Sequence, residues 1–309
     1  MPSSFKNQTT ITRRNKMKKV LVALLSIAIA FTAMQPSQAQ DQRVLAIIDN
    51  AINSNNFPSI IYEACFTENT SFTQAIVPVL CPNGSTFMEG KGSAGTASWP
   101  ASINNSVYHG DAMVKSALTV NPNLKIVFVR ISNLDKTGGV NQFSNRTVEL
   151  ALDWVSKNAS KYSIDAVSVS QSSVNSFNLD RCSSDAVTVG AIASLTANNI
   201  PVFIATGNDR RRDVVGFPSC VNGAIGVGAL GNETQLEAAT NTGPGLDMVA
   251  PGKVRITKIN GSSTDTAGSS VATVISAASY VNRNTFKTFG EYLTSLPKIL
   301  IGSASYIRN

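Results

Sequence analysis

The sequence predicts an α/β protein, a doubly wound, mostly parallel sheet flanked by helices. Three observations lead there. Short apolar runs without alternation recur along the chain, as parallel strands buried on both faces require. Segments with an apolar stripe at helical spacing lie between them. The alternation continues for more than 200 residues, which is one large domain's worth of chain.

The elements follow in order. Residues 44–48 (VLAII) form the first expected strand, ending at Asp49. Residues 62–106, rich in Gly, Ser, Thr and Asn, read as a long loop inserted in the domain. Residues 110–118 read as a helix and 124–129 (LKIVFV) as the second strand. Residues 147–156 (TVELALDWVS) place apolar residues on one helical face, with Ser144 or Asn145 as the N-cap. Residues 166–169, 187–192, 201–205 and 224–229 are read as further strands, and the Ala-rich 270–281 as a helix. In such a sheet, functional residues gather beyond the carboxyl ends of the strands, which directs attention to Asp49 and to Gly207-Asn208.

Charge excludes one class of function. The formal net charge is +7, but residues 1–39 hold six cations and no Asp or Glu. Without them, 20 of the 26 cations face 19 anions, so the body carries no footprint for nucleic acid. The leader has the three parts of a secretory signal: the basic pair Lys18-Lys19, the 14-residue apolar run 20–33, and the small residues of Ser37-Gln38-Ala39. Met17 is an alternative start. Fourteen apolar residues fall short of the roughly 20 that span a bilayer. The expectation is a leader over 1–39, one domain over 40–309, no membrane span in the mature chain, and a secreted or periplasmic product. Four cysteines suit that compartment. They allow three connectivities, of which chain proximity favours Cys65–Cys81, stapling the inserted loop, and Cys182–Cys220; buried free thiols are the alternative, and no CxxC pair suggests zinc.

His109 is the chain's one histidine, which excludes multi-histidine metal sites and makes it the one imidazole available as a general base. It precedes Gly110 at an expected helix start, where the helix dipole disfavours the imidazolium. A carboxylate on its other ring nitrogen would fix the tautomer, and Asp49 is the candidate. The run from Asp265 to Thr273 (DTAGSSVAT) leads a small-residue turn into an Ala-rich helix, which exposes a hydroxyl where a backbone N–H can meet an oxyanion.

These residues resemble the subtilisin-like serine proteases, the subtilases of peptidase family S8, whose triad runs Asp, His, Ser with an oxyanion Asn between His and Ser. Asp49, His109, Asn208 and Ser270 stand in that order. Ala46-Ile47-Ile48-Asp49, Tyr108-His109-Gly110, 202–209 (VFIATGND), 241–252 (NTGPGLDMVAPG) and Gly268-Ser269-Ser270-Val271-Ala272 are each similar to the family's text, as is Ala151-Leu152-Asp153-Trp154-Val155. The resemblance covers roughly 42–285. It implies a subtilisin-like fold and an exported endopeptidase with catalytic Asp49, His109 and Ser270 and oxyanion donor Asn208. It implies substrate binding by Ser170, Gln171, Ser172, Thr206 and Gly207, with an extended peptide as partner and no charge at the first specificity pocket. A monomer without cofactor is expected, with a structural calcium ion left open.

Several positions depart from the family pattern. Asn50-Ala51 stands for Thr-Gly after the Asp, Val274 for the proline after the serine, and Gln171-Ser172 for Leu-Gly. Asp111 adds a carboxylate that could compete with Asp49, and Lys115 puts a long cation where the family packs a small residue. Asp49 lies ten residues past Ala39, leaving no room for the family's pro-region. A non-catalytic peptide-binding module is therefore the alternative reading. Gly226-Val227-Gly228-Ala229-Leu230-Gly231 fits the dinucleotide GxGxxG pattern, but no apolar helical stripe follows it. An α/β hydrolase would need a GxSxG elbow, which the serine turn lacks. Arg210-Arg211-Arg212 reads as a solvated loop, with selection of acidic substrates as its functional alternative.

Overall fold

A computed structural model describes residues 43–68, 76–77, 80–95, 109–135, 142–174, 180–257, 261–282, 288–301 and 304–309. The expected leader 1–39 and Tyr108 lie outside them. One ten-stranded sheet organises the chain. Its strands are β1 (Val44–Asp49), β2 (Ile60–Phe66), β3 (Phe87–Glu89), β4 (Lys125–Arg130), β5 (Ile164–Val169), β6 (Val202–Ala205), β7 (Ala224–Leu230), β8 (Met248–Pro251), β9 (Lys298–Ile301) and β10 (Ala304–Arg308). Their spatial order is β9-β10-β8-β7-β6-β5-β1-β4-β2-β3. Every pairing from β10 to β2 is parallel. Antiparallel partners close the two ends, β9 on β10 and β3 on β2.

The expected double winding is present, and β1 shows why its sequence lacks alternation. Leu45 and Ile47 pack into one core with Met113 and Val271, while Ala46 and Ile48 pack into another with Leu152 and Val155. Both faces are dry, so every position must be apolar. Helices α1 (His109–Val120) and α5 (Ser269–Asn282) supply the first core; α2 (Asn145–Asn158) and α4 (Ala186–Ala197) supply the second. The short α3 (Arg181–Ser184) precedes α4, and α6 (Phe289–Ser295) follows α5. Ser144 is the N-cap of α2, accepting from the Thr147 N–H.

Two expectations are corrected. Residues 187–192 are helix, not strand. Asp185 caps α4 by accepting from the Thr188 N–H, and the buried residues Thr188, Ala191, Ile192 and Leu195 recur at helical spacing. The β-branched Val187, Thr188 and Val189 masked that period. Nor is 62–106 a loop throughout: it begins inside β2 and contains β3, and Cys65 lies within a strand that pairs with β4. The GxGxxG segment sits inside and just past β7 rather than opening a helix.

The sulfurs of Cys65 and Cys81 lie at bonding distance, with Cα atoms 6.0 Å apart, and so do those of Cys182 and Cys220, at 5.4 Å. Among the described residues no helix is long and apolar enough to cross a membrane. None of them forms a cluster of three or more His, Cys, Asp or Glu side chains arranged to hold a metal ion.

Candidate active site

The carboxyl ends of β1, β5 and β6 deliver Asp49, Ser170 and Asn208 to one end of the sheet, and the starts of α1 and α5 bring His109 and Ser270 to the same place. Asp49 is fully buried. Its Oδ1 accepts from the His109 Nδ1–H at 2.7 Å and from the Asn50 N–H at 2.6 Å. Its Oδ2 is buried without a hydrogen-bond partner among the described residues. His109 keeps about 24% of its side chain exposed, enough to face a cleft. Burial pulls its pKa down, but the charge of Asp49 and the hydrogen bond to it outweigh burial and leave it above its ordinary value. The dipole argument for a depressed imidazolium is therefore overruled by the carboxylate.

Asn50 explains one departure from the family pattern. Its side-chain oxygen accepts from the Gly110 N–H at 2.7 Å, so the residue after Asp49 caps the helix that begins with His109. Gly110 permits that approach, since a Cβ there would meet the Ala51 carbonyl at 2.7 Å and the Phe128 ring at 2.7 Å.

A cleft of about 270 Å³ is lined by His109, Phe143, Ser170, Gln171, Ser172, Ala205, Gly207, Asn208, Asp209, Ser269 and Ser270. Ser270 Oγ donates to the Ser170 carbonyl at 3.1 Å; no hydrogen bond joins it to His109. The Ser270 N–H has no partner among the described residues, as expected at a helix start. Asn208 accepts from the Ser269 N–H at 2.9 Å through Oδ1, which leaves its Nδ2 unpartnered among the described residues. Gln171 and Ser172 make no backbone hydrogen bond to the described residues, whereas Ser173 bridges to Phe217.

Family membership follows from this arrangement together with the match of the subtilase family model to residues 44–290. The chain belongs to the subtilase family. An intracellular serine protease of Paenibacillus polymyxa is 34% identical over 88 residues, which covers 27% of this subtilase and 27% of that relative. A protease of Pseudoalteromonas arctica superposes with a TM-score of 0.57 at 21% identity, over 76% of this chain and 75% of that one. A cold-adapted subtilisin-like serine proteinase gives 0.54 at 19%, over 86% and 87%. At such identities these two establish the fold.

Other positions in this subtilase differ from expectation. Thr206 is fully buried behind the cleft wall instead of lining it. Asp209, beyond the oxyanion candidate Asn208, also lines the cleft. Asp111 is buried, but Oδ1 accepts from the Asn53 N–H at 2.9 Å, so it braces the segment after β1 and makes no hydrogen bond to His109. Burial lifts its pKa to about 6. Lys115 runs outward along α1: its ammonium donates to the Thr257 carbonyl and lies 5.9 Å from the centre of the Phe57 ring. Of the three arginines, Arg211 pairs with Asp213 and Arg212 donates to the Thr240 and Ala238 carbonyls. Two of the three thus fasten the loop, which removes the basis for a free basic patch. Asn50, Phe143 and Asp209 were not identified as contributors; only contact in three dimensions reveals them.

Proposed function

We propose that this subtilase is an exported serine endopeptidase in which Ser270 is the nucleophile, His109 the general base and Asp49 its orienting carboxylate. The observation that carries the reading is the 2.7 Å Asp49–His109 hydrogen bond at the head of a cleft that also holds Ser270 and Asn208. Turning Ser270 about its Cα–Cβ bond releases Oγ from the Ser170 carbonyl toward His109. Oγ then attacks the peptide carbonyl as its proton passes to His109 Nε2, and the imidazolium is stabilised by Asp49. The oxyanion is received by Asn208 Nδ2 and the Ser270 N–H, both without other partners among the described residues. His109 then gives the proton to the leaving amine, and water repeats the sequence on the acyl-enzyme. The unpaired backbone of Gln171 and Ser172 suits an extended peptide that adds as a strand.

The P. polymyxa relative is named as intracellular. The 1–39 leader and the two cysteine pairs favour export here. Recovery of a mature chain beginning at Gln40 from outside the cytoplasm tests that part.

A fluorophosphonate probe tests the chemistry. The wild type labels covalently, Ser270→Ala does not, and His109→Ala labels far more slowly. One observation favours a second reading, a non-catalytic peptide-binding module: Ser270 Oγ is bonded to Ser170 instead of His109. On that reading the folded wild type stays unlabelled and binds peptides equally well as Ser270→Ala.

A further inference from the structure

The turn that presents Asn208 is held from behind by one buried side chain. Asn241 is fully buried, and its carboxamide makes four hydrogen bonds. Nδ2 donates to the Thr206 carbonyl at 3.0 Å and to the Asp209 carboxylate at 2.9 Å. Oδ1 accepts from the N–H groups of Asp209 at 2.8 Å and Arg211 at 3.0 Å. The Asn241 N–H donates in turn to the Gly207 carbonyl at 2.9 Å. These contacts fall on both sides of Asn208 and none falls on Asn208 itself. Gly207, inside the bracket, has φ +102°, and a Cβ there would lie 2.4 Å from Asn241 Nδ2. The left-handed glycine and the asparagine behind it therefore fit as a pair.

We propose that Asn241 is a positioning residue for the oxyanion site: it fixes the turn from Thr206 to Arg211 so that Asn208 Nδ2 is aimed before substrate arrives. The proposal rests on the reading above, in which Asn208 is an oxyanion donor. Beyond its turn, the Asn208 side chain has one hydrogen bond, from the Ser269 N–H, and that bond fixes its direction only if the turn stays where it is. Oxyanion stabilisation depends on donors already in place, so a displaced turn costs rate more than binding. Other side chains fail for stated reasons. Aspartate keeps the acceptor but sets a second carboxylate against Asp209 and leaves the Thr206 carbonyl without its donor. Alanine leaves the Asp209 and Arg211 N–H groups unpaired.

The test is a double-mutant cycle between Asn241 and Asn208, read as kcat and KM on one peptide substrate. In the wild-type background Asn241→Ala and Asn241→Asp lower kcat by about 10–100-fold, the size of effect expected from a misplacement near 1 Å, and leave KM near its wild-type value. In the Asn208→Ala background the same substitutions cost little more, because the group they aim is gone. Full losses that add in both backgrounds, or losses confined to KM, overturn the proposal. If neither Asn241 variant folds, Asp209→Ala removes one contact of the clamp from its exposed side; it lowers kcat by a smaller factor and is likewise silent behind Asn208→Ala, and an additive loss again overturns the proposal. Failure of the underlying reading looks different: Asn208→Ala would then leave kcat unchanged.

Discussion

The two halves of the proposed triad are built in opposite ways. The acid–base half is locked: Asp49 is fully buried, bonded to His109 at 2.7 Å and to the Asn50 N–H at 2.6 Å, while Asn50 caps the helix that carries His109. The nucleophile half is loose. Ser270 Oγ rests on a backbone carbonyl and shares the cleft with the imidazole without a hydrogen bond to it. Groups that must hold a fixed charge relation are therefore pre-built, while the atom that must form and break a covalent bond keeps a spare partner. On the proposed mechanism, rigidity on the acid–base side leaves the reorientation to the serine alone.

Breaking the loose half has the largest expected effect. Ser270→Ala abolishes fluorophosphonate labelling and cuts peptide hydrolysis to the small residual that the oxyanion donors and binding sustain, while its thermal unfolding stays close to wild type because one exchangeable hydrogen bond is lost.

Breaking the locked half comes next. Asp49→Asn preserves size but removes the charge that selects the tautomer, and kcat falls by about 10⁴-fold if this relay behaves as serine triads do. The pH profile sharpens the comparison. Asp49 holds the His109 pKa above its ordinary 6.5 against burial, so the wild-type acid limb lies above that value. With the carboxylate gone, burial acts alone and the residual acid limb moves below it. The matching stability contribution is present below pH 6.5 and is lost as pH rises through the folded His109 pKa. A limb that stays put in Asp49→Asn would show that Asp49 does not set the charge of His109.

Asn50→Ala is smaller again. Loss of the cap on α1 costs about 0.5–2 kcal/mol of stability, seen in denaturant unfolding. The His109 helix loosens, and kcat falls by about tenfold or less with the acid limb unmoved.

Both halves were legible in the sequence as local patterns. An apolar run into Asp49, one histidine beside a glycine, and a small-residue turn before an Ala-rich helix are local patterns, and the family resemblance set them in one order. What escaped were contacts between distant segments. Nothing local to Asn50 says that its carboxamide reaches Gly110, and nothing near Asn241 points to the turn at Asn208. Arg210-Arg211-Arg212 is the exposed loop the sequence suggests, but the carbonyls of Ala238 and Thr240 that receive Arg212 carry no sequence signal. The helix over 187–192 was legible in principle, through Asp185 and the spacing of Thr188, Ala191, Ile192 and Leu195, but β-branched composition outweighed period.

The smallest effect on turnover separates a carboxylate that serves the locked half from one that only braces it. Asp111 lies in the first turn of α1, two residues from His109, yet its partner is the Asn53 N–H. Burial lifts its pKa from 3.8 to about 6, against the pull of that hydrogen bond and of Lys115. A carboxyl with a raised folded pKa favours the folded state most below its unfolded pKa, and that preference is lost as pH rises through about 6. At neutral pH the ionised, buried group is therefore a burden of about 1–3 kcal/mol. Asp111→Asn keeps an oxygen for Asn53 and removes the charge. It should raise the unfolding midpoint above pH 6, have little effect near pH 4, and leave the acid limb of kcat where His109 and Asp49 put it. A limb that moves instead would make Asp111 an electrostatic partner of His109 and end the division of labour between the two carboxylates.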